Sequence, residues 1–164
     1  FMKNRYIGRT FIMPGQRTRK RSVKQKLNPI EIEFRDKRVL LVDDSIVRGH
    51  TSKNIIKMVR DCGASKVFLA SASPPIRHQN VYGIDMPAAK ELIGYNRSVE
   101  GIKKYIKADE LIYQDLEDLT RSASIGNPKI KKFEDSVFTG KYRVGNITEE
   151  FLRNLEQTRS SLPK

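Results

Sequence analysis

The clearest pattern in the chain is the run Val39-Leu40-Leu41-Val42, apolar at every position and too short for a helix. Such a run predicts a central strand of a parallel sheet, buried on both faces, and it stops abruptly at Asp43-Asp44. Downstream, Ile55, Ile56 and Val59 recur at helical spacing, with Thr51 or Ser52 available as the cap and Gly63 as the stop. Val67-Phe68-Leu69-Ala70 then supplies a second strand, so the segment reads as a strand, helix, strand unit with a right-handed crossover. Short helices are predicted over 87–94 and 98–106, and another buried strand at Leu111-Ile112-Tyr113, ending in Gln114-Asp115. Near the end, Thr148 caps a predicted helix with Glu149 and Glu150 in its first turn and Phe151, Leu152 and Leu155 on its apolar side. Beyond Thr158 the tail is expected to fray. The alternation makes the class α/β: a parallel sheet flanked by helices, with a C-terminal helical tail, in one domain.

Charge changes this picture at one end only. The 164 residues carry a formal net charge of +13, and residues 1–30 hold nine Lys and Arg with no Asp or Glu. The stretch from Tyr6 to Gln16 mixes apolar residues with a Pro14-Gly15 turn before the basic run begins, which reads as a loop. A sequence that opens abruptly in such a segment reads as an internal piece of a longer chain. No apolar run approaches the ~18 residues of a membrane span, and Phe1-Met2-Lys3-Asn4 does not open a secretory signal, so a cytoplasmic setting is expected. The single cysteine, Cys62, excludes a disulfide or an all-cysteine metal site within this chain, and is expected to be a small buried thiol at the end of the first helix.

The chemistry lies where the first strand ends. Asp43-Asp44-Ser45-Ile46-Val47-Arg48-Gly49-His50-Thr51-Ser52 places two carboxylates before a loop of small residues that runs into a helix start. Backbone N–H groups at a helix N-terminus, which carries about half a positive charge, can receive a phosphate, and Gly49 permits close approach. The two carboxylates can accept hydrogen bonds from vicinal ribose hydroxyls and hold a magnesium ion that keeps most of its waters. An arbitrary Asp-Asp pair more often only begins a turn. Here four apolar residues before it and hydroxyls and glycine after it favour a ribose phosphate site. Neither the dinucleotide nor the nucleoside triphosphate glycine motif occurs.

Residues 39–52 resemble the 5-phosphoribosyl pyrophosphate (PRPP) signature of type I phosphoribosyltransferases. The flanking segments narrow the resemblance. Asn4-Arg5-Tyr6-Ile7-Gly8-Arg9-Thr10-Phe11-Ile12, Ser22 to Asn28, Ala72 to Arg77, Tyr82 to Pro87 and Ser136 to Tyr142 are similar to amidophosphoribosyltransferases across nearly the whole chain. The resemblance implies the type I phosphoribosyltransferase fold and transfer of ammonia derived from glutamine to PRPP, the first committed step of purine synthesis. Asp43 and Asp44 would hold ribose and Mg2+, and residues from Ser45 through Ile46, Val47, Arg48, Gly49, His50 and Thr51 to Ser52 the 5′-phosphate. It also implies that the loop matching residues 3–27 closes over PRPP, with Arg9 and Lys26 as the cations acting on departing pyrophosphate. Residues 1–38 would then be this basic loop and its lead-in, 39–120 the PRPP-binding core and 121–164 a C-terminal extension.

Two departures from the family's pattern matter. The glutaminase half uses an N-terminal cysteine, whereas this chain begins with Phe1, so that domain and the early strands with the pyrophosphate loop are expected upstream, and the isolated fragment is expected to be inactive. The cysteines of the iron-sulfur branch have no counterparts near Phe133 to Phe138, so no iron-sulfur cluster is expected. Family resemblance further implies inhibition by AMP and GMP and a homotetramer. The basic segment alone would equally suit a nucleic-acid partner, but no recognition helix is visible and its neighbours favour a lid, so neither nucleic acid nor membrane is expected. A nucleobase salvage transferase would share residues 43–51 and differ in consuming a purine base. His50 is expected to point to solvent without a catalytic role.

Overall fold

The computed structural model describes residues 1–4, 6, 27–84 and 86–161. A short antiparallel pair, β1 (Met2–Lys3) with β2 (Leu27–Asn28), precedes the main sheet. That sheet has three parallel strands in the order β3 (Arg38–Asp43), β4 (Lys66–Ser71), β5 (Glu110–Tyr113), in register with Asp43 opposite Ser71 and Ser71 opposite Tyr113. Between the strands run α1 (His50–Asp61) and α2 (Val99–Ile106). After them come α3 (Leu116–Ser124), the single turn α4 (Ser136–Thr139) and α5 (Glu149–Ser161). The expected α/β class is borne out. No described helix is long and apolar enough to cross a membrane.

The core lies on one face of the sheet. Val67, Leu69 and Leu111, with Val39 and Leu41 partly covered, pack against Ile56 and Val59 of α1 and Ile102 and Ile106 of α2. Each such side chain, when fully buried, contributes about 1.5–3 kcal/mol. The opposite face differs from expectation. β3 is an edge strand of the described sheet, and Leu40, Val42 and Ile112 are 56%, 72% and 55% exposed. Their apolar character is that of a doubly covered strand, but at these three positions the described protein leaves the face open, while Phe68 and Ala70 of β4 between them are half-buried.

Other departures have local causes. Helix α1 starts at His50, with Gly49 as its cap in the left-handed conformation (φ 74°), so Thr51 and Ser52 lie inside its first turn and do not cap it. Residues 87–94 form only a 3-10 turn, Ala89–Glu91, because Ala88 and Leu92 on either side are extended and Ile93 donates to the Val47 carbonyl, at 2.8 Å, in place of a helical bond. Helix α3 was not expected. Asp115 caps it, accepting from the amides of Glu117 (2.8 Å) and Asp118 (3.2 Å). In α5 the Thr148 hydroxyl does accept from the Phe151 amide at 3.1 Å, but Phe151 is exposed, while Leu152 and Leu155 are half-buried. The helix runs on to Ser161 past the expected fraying point, since Arg159 is anchored on the Asn80 carbonyl at 3.0 Å. Cys62 is half-buried at the C-terminal cap of α1 and packs against the core.

Candidate functional site

Strand β3 delivers Asp43 to the C-terminal edge of the sheet, and the chain turns there into the loop that leads to α1. Asp43 is half-buried and Asp44 exposed. Their bonds are local: the Asp44 amide donates to Asp43 Oδ1 at 3.0 Å, and the Ser45 hydroxyl to Asp44 Oδ1 at 3.0 Å. Among the described residues neither carboxylate has an ion pair. Burial pushes the Asp43 carboxyl up; the Asp44 amide opposes this, and the Asp44 charge adds to it. A divalent cation or a pair of hydroxyl donors would relieve that penalty.

The loop beyond is braced from outside. Ile46 is buried in the core. Arg48 Nε donates to Glu91 Oε2 at 3.0 Å, and the Val47 carbonyl accepts from Ile93. At Gly49 the positive φ favours glycine, and a Cβ would lie 2.2 Å from Ile93 Cδ1, so any larger residue would also push the Ile93 side chain aside. The Lys53 amide donates to the Gly49 carbonyl at 2.9 Å, and the Thr51 and Ser52 amides ahead of it lie in the first turn, where the helix itself offers no acceptor. Such amides suit an anion.

His50 does not stand free in solvent as expected. Its Nδ1 lies 2.9 Å from the Tyr105 hydroxyl, and the same tyrosine ring carries Lys53 Nζ at 4.5 Å and Arg97 Cζ at 5.1 Å. An apolar cavity of about 150 Å³ adjoins the site, lined among others by Leu27, Asp43 and Ser52. Arg9 and Lys26 lie outside the described residues. The structure thus places residues 43–52 at one strand-to-helix junction, with Asp43 ending β3, residues 44–49 forming the loop, and His50, Thr51 and Ser52 opening α1. No described group of three or more His, Cys, Asp or Glu is arranged to hold a metal ion, and a two-carboxylate site falls below that size.

Comparison with known proteins decides the family. The chain is 57% identical over 164 residues to the amidophosphoribosyltransferase of Pseudomonas aeruginosa, covering 100% of this chain and 33% of that protein. The glutamine PRPP amidotransferase of B. subtilis, solved in complex with ADP and GMP, superposes with a TM-score of 0.70 at 41% identity, over 90% of this chain and 33% of that one. A structure described as the allosteric regulatory enzyme of purine biosynthesis gives a TM-score of 0.73 at 38% identity, over 99% and 35%. This chain belongs to the amidophosphoribosyltransferase family. It spans about a third of the length of the curated relatives it matches. No family model matches it.

The apolar strand, the Asp43-Asp44 pair and the small-residue loop after it led to residues 43–52 but not to their support. Glu91, Ile93 and Tyr105, which brace the loop, lie 43 to 55 positions from their partners, and no local pattern marks them. The one available signal was Gly49, whose place between a loop and a helix start already implied a tight neighbour.

Proposed function

We propose that the chain forms the PRPP-binding part of an enzyme that converts PRPP and ammonia derived from glutamine into 5-phosphoribosylamine and pyrophosphate, opening purine nucleotide synthesis in the cytoplasm. The observation that carries this reading is the Asp43-Asp44 pair at the sheet edge, Asp43 half-desolvated and neither carboxylate with a cationic partner among the described residues, next to the first turn of α1. In it, ammonia attacks the anomeric carbon as the bond to pyrophosphate breaks, and the resulting ammonium sheds a proton. Residues 45–52 hold the 5′-phosphate, and Asp43 and Asp44 accept from the ribose hydroxyls.

The same two carboxylates fit magnesium, which typically binds through one or two carboxylates plus substrate phosphates. Bound there, the ion supplies charge neutralisation on pyrophosphate. Lys26 and Arg9 are the proposed cations of the closing loop. Leu27, next in sequence to Lys26, lines the same cavity as Asp43, which supports that part of the reading. Purine monophosphates such as AMP and GMP fit as inhibitors because their 5′-phosphate matches the loop's ligand, and the B. subtilis relative was solved with ADP and GMP. The reading includes a homotetramer and no iron-sulfur cluster, Cys62 being the single cysteine of the chain.

The test is Asp43→Asn with Asp44→Asn in the full-length protein, followed by ammonia-dependent phosphoribosylamine formation. A loss of at least about a hundredfold is expected, the scale seen when preorganised charge stabilisation is removed. Wild-type rates would refute the assignment.

A further inference from the structure

Glu156, on the C-terminal helix α5, reaches back across the chain to the segment that braces the phosphate loop. Its Oε2 accepts from the Ala89 amide at 2.6 Å and from Gln79 Nε2. Gln79 and Asn80 are 6% and 3% exposed, so this is an interior polar junction and not a surface contact. Arg159, one turn further along α5, donates to the Asn80 carbonyl at 3.0 Å, and the Tyr142 hydroxyl donates to the Gln79 carbonyl at 2.8 Å. Ala89 is the first residue of the 3-10 turn, where the amide lacks a partner within the turn, and the carboxylate supplies it.

That turn carries the groups that shape the loop. Glu91 pairs with Arg48 at 3.0 Å, Ile93 donates to the Val47 carbonyl at 2.8 Å, and the Ile93 side chain abuts Gly49. Gly94 closes the segment against the Ile76 carbonyl, 2.4 Å from where a Cβ would sit, so the turn cannot slide without disturbing both ends. A continuous chain of contacts therefore runs from Glu156 through Ala89, Glu91 and Ile93 to Val47, Arg48 and Gly49.

We propose that Glu156 is a positioning residue for the 5′-phosphate loop, fixing the 89–93 segment against it from the C-terminal helix. The inference rests on the reading of residues 45–52 as the phosphate site. Glu156 touches no reacting atom and acts through the loop, so its loss weakens PRPP binding more than it slows the chemical step.

The test uses the full-length protein with ammonia as nitrogen donor. Glu156→Ala is expected to raise KM for PRPP about tenfold, with kcat changed less than about twofold, while Glu156→Gln, which keeps an acceptor for Ala89, stays within about twofold of wild type. Ala89→Pro removes the donor in place of the acceptor. Ala88 already sits at φ −53°, ψ 147°, the conformation preferred before proline, so this variant carries the same expectation should Glu156→Ala not fold. Combining Glu156→Ala with Glu91→Gln is expected to raise KM by less than the product of the single effects, since both act through one turn. An unchanged KM in the folded variants, or a fall in kcat alone, overturns the proposal. Asp43→Asn measured alongside separates the failures. If it loses turnover while Glu156→Ala is silent, the Glu156 role alone is wrong; if both are silent, the reading of residues 43–52 as the PRPP site fails as well.

Discussion

The two ends of the parallel sheet each present an aspartate, and their surroundings are opposite. At the end where β4 and β5 begin, Asp109 Oδ2 accepts from the Val67 amide at 2.7 Å and from Arg60 Nη2 at 2.7 Å. The Val67 amide, with the bond and charge of Arg60, holds its carboxyl below the usual range despite partial burial. At the other end, burial pushes the Asp43 carboxyl up, and its main partner is the amide of its own neighbour. One carboxylate is satisfied by the fold and belongs to its architecture. The other carries a desolvation cost that only its neighbour's amide offsets, and only in part, as expected of a group kept for a ligand.

Breaking the ligand end should have the largest effect on the fold. Gly49→Val places a β-branched side chain at φ 74° and against Ile93, costing about 3 kcal/mol from the left-handed backbone and overpacking together, read as a shift in the urea midpoint. Loss of PRPP binding is expected with it. At the opposite end, Asp109→Ala leaves the amide of fully buried Val67 without its acceptor and should cost about 1–3 kcal/mol. Because the folded carboxyl is depressed, that contribution is fully present above the ordinary carboxylate range and is lost as pH falls through the folded value. The stability gap between wild type and Asp109→Ala should therefore close in acid; a gap constant down to low pH would argue against the charge.

The same contrast explains what could be read from the sequence. β3, the loop, α1 and β4 are consecutive, so the apolar runs, Gly49 and Gly63 encode them locally, and the candidate site was legible together with its scaffold. The sheet's open face was not, because an all-apolar strand says that both faces suit burial without saying what covers them. The 87–94 segment read as a helix because its composition permits one, yet its geometry is set by Val47, more than forty positions earlier. The setting of His50 is nonlocal in the same way, its partner Tyr105 being 55 residues away. Helix α3 was a missed local signal, for Asp115 followed by Glu117 and Asp118 is an acidic cap and first turn.

The brace itself can be sharpened by the Arg48–Glu91 pair, whose side chains are only 25% and 30% exposed. Glu91→Gln should cost about 1 kcal/mol, and Arg48→Met in the same background little more, because a partly buried pair loses most of its coupling with the first partner. Additive losses in chemical denaturation would show that the two residues act separately.

The smallest expected effect has the opposite sign. Since burial raises the Asp43 carboxyl, the folded protein binds that proton more tightly than the unfolded chain, and ionisation above the raised value opposes folding. Asp43→Asn removes the charge while keeping the size, so without ligand it should stabilise the protein at neutral pH by about 0.5 kcal/mol. The gain should shrink as pH falls through the folded value and vanish once both states of the wild type are protonated. Magnesium with PRPP should reverse the order, stabilising wild type and leaving the variant unmoved. A destabilised Asp43→Asn without ligand at neutral pH would mean that the carboxylate serves the fold as Asp109 does, and the distinction between the two ends of the sheet would fail.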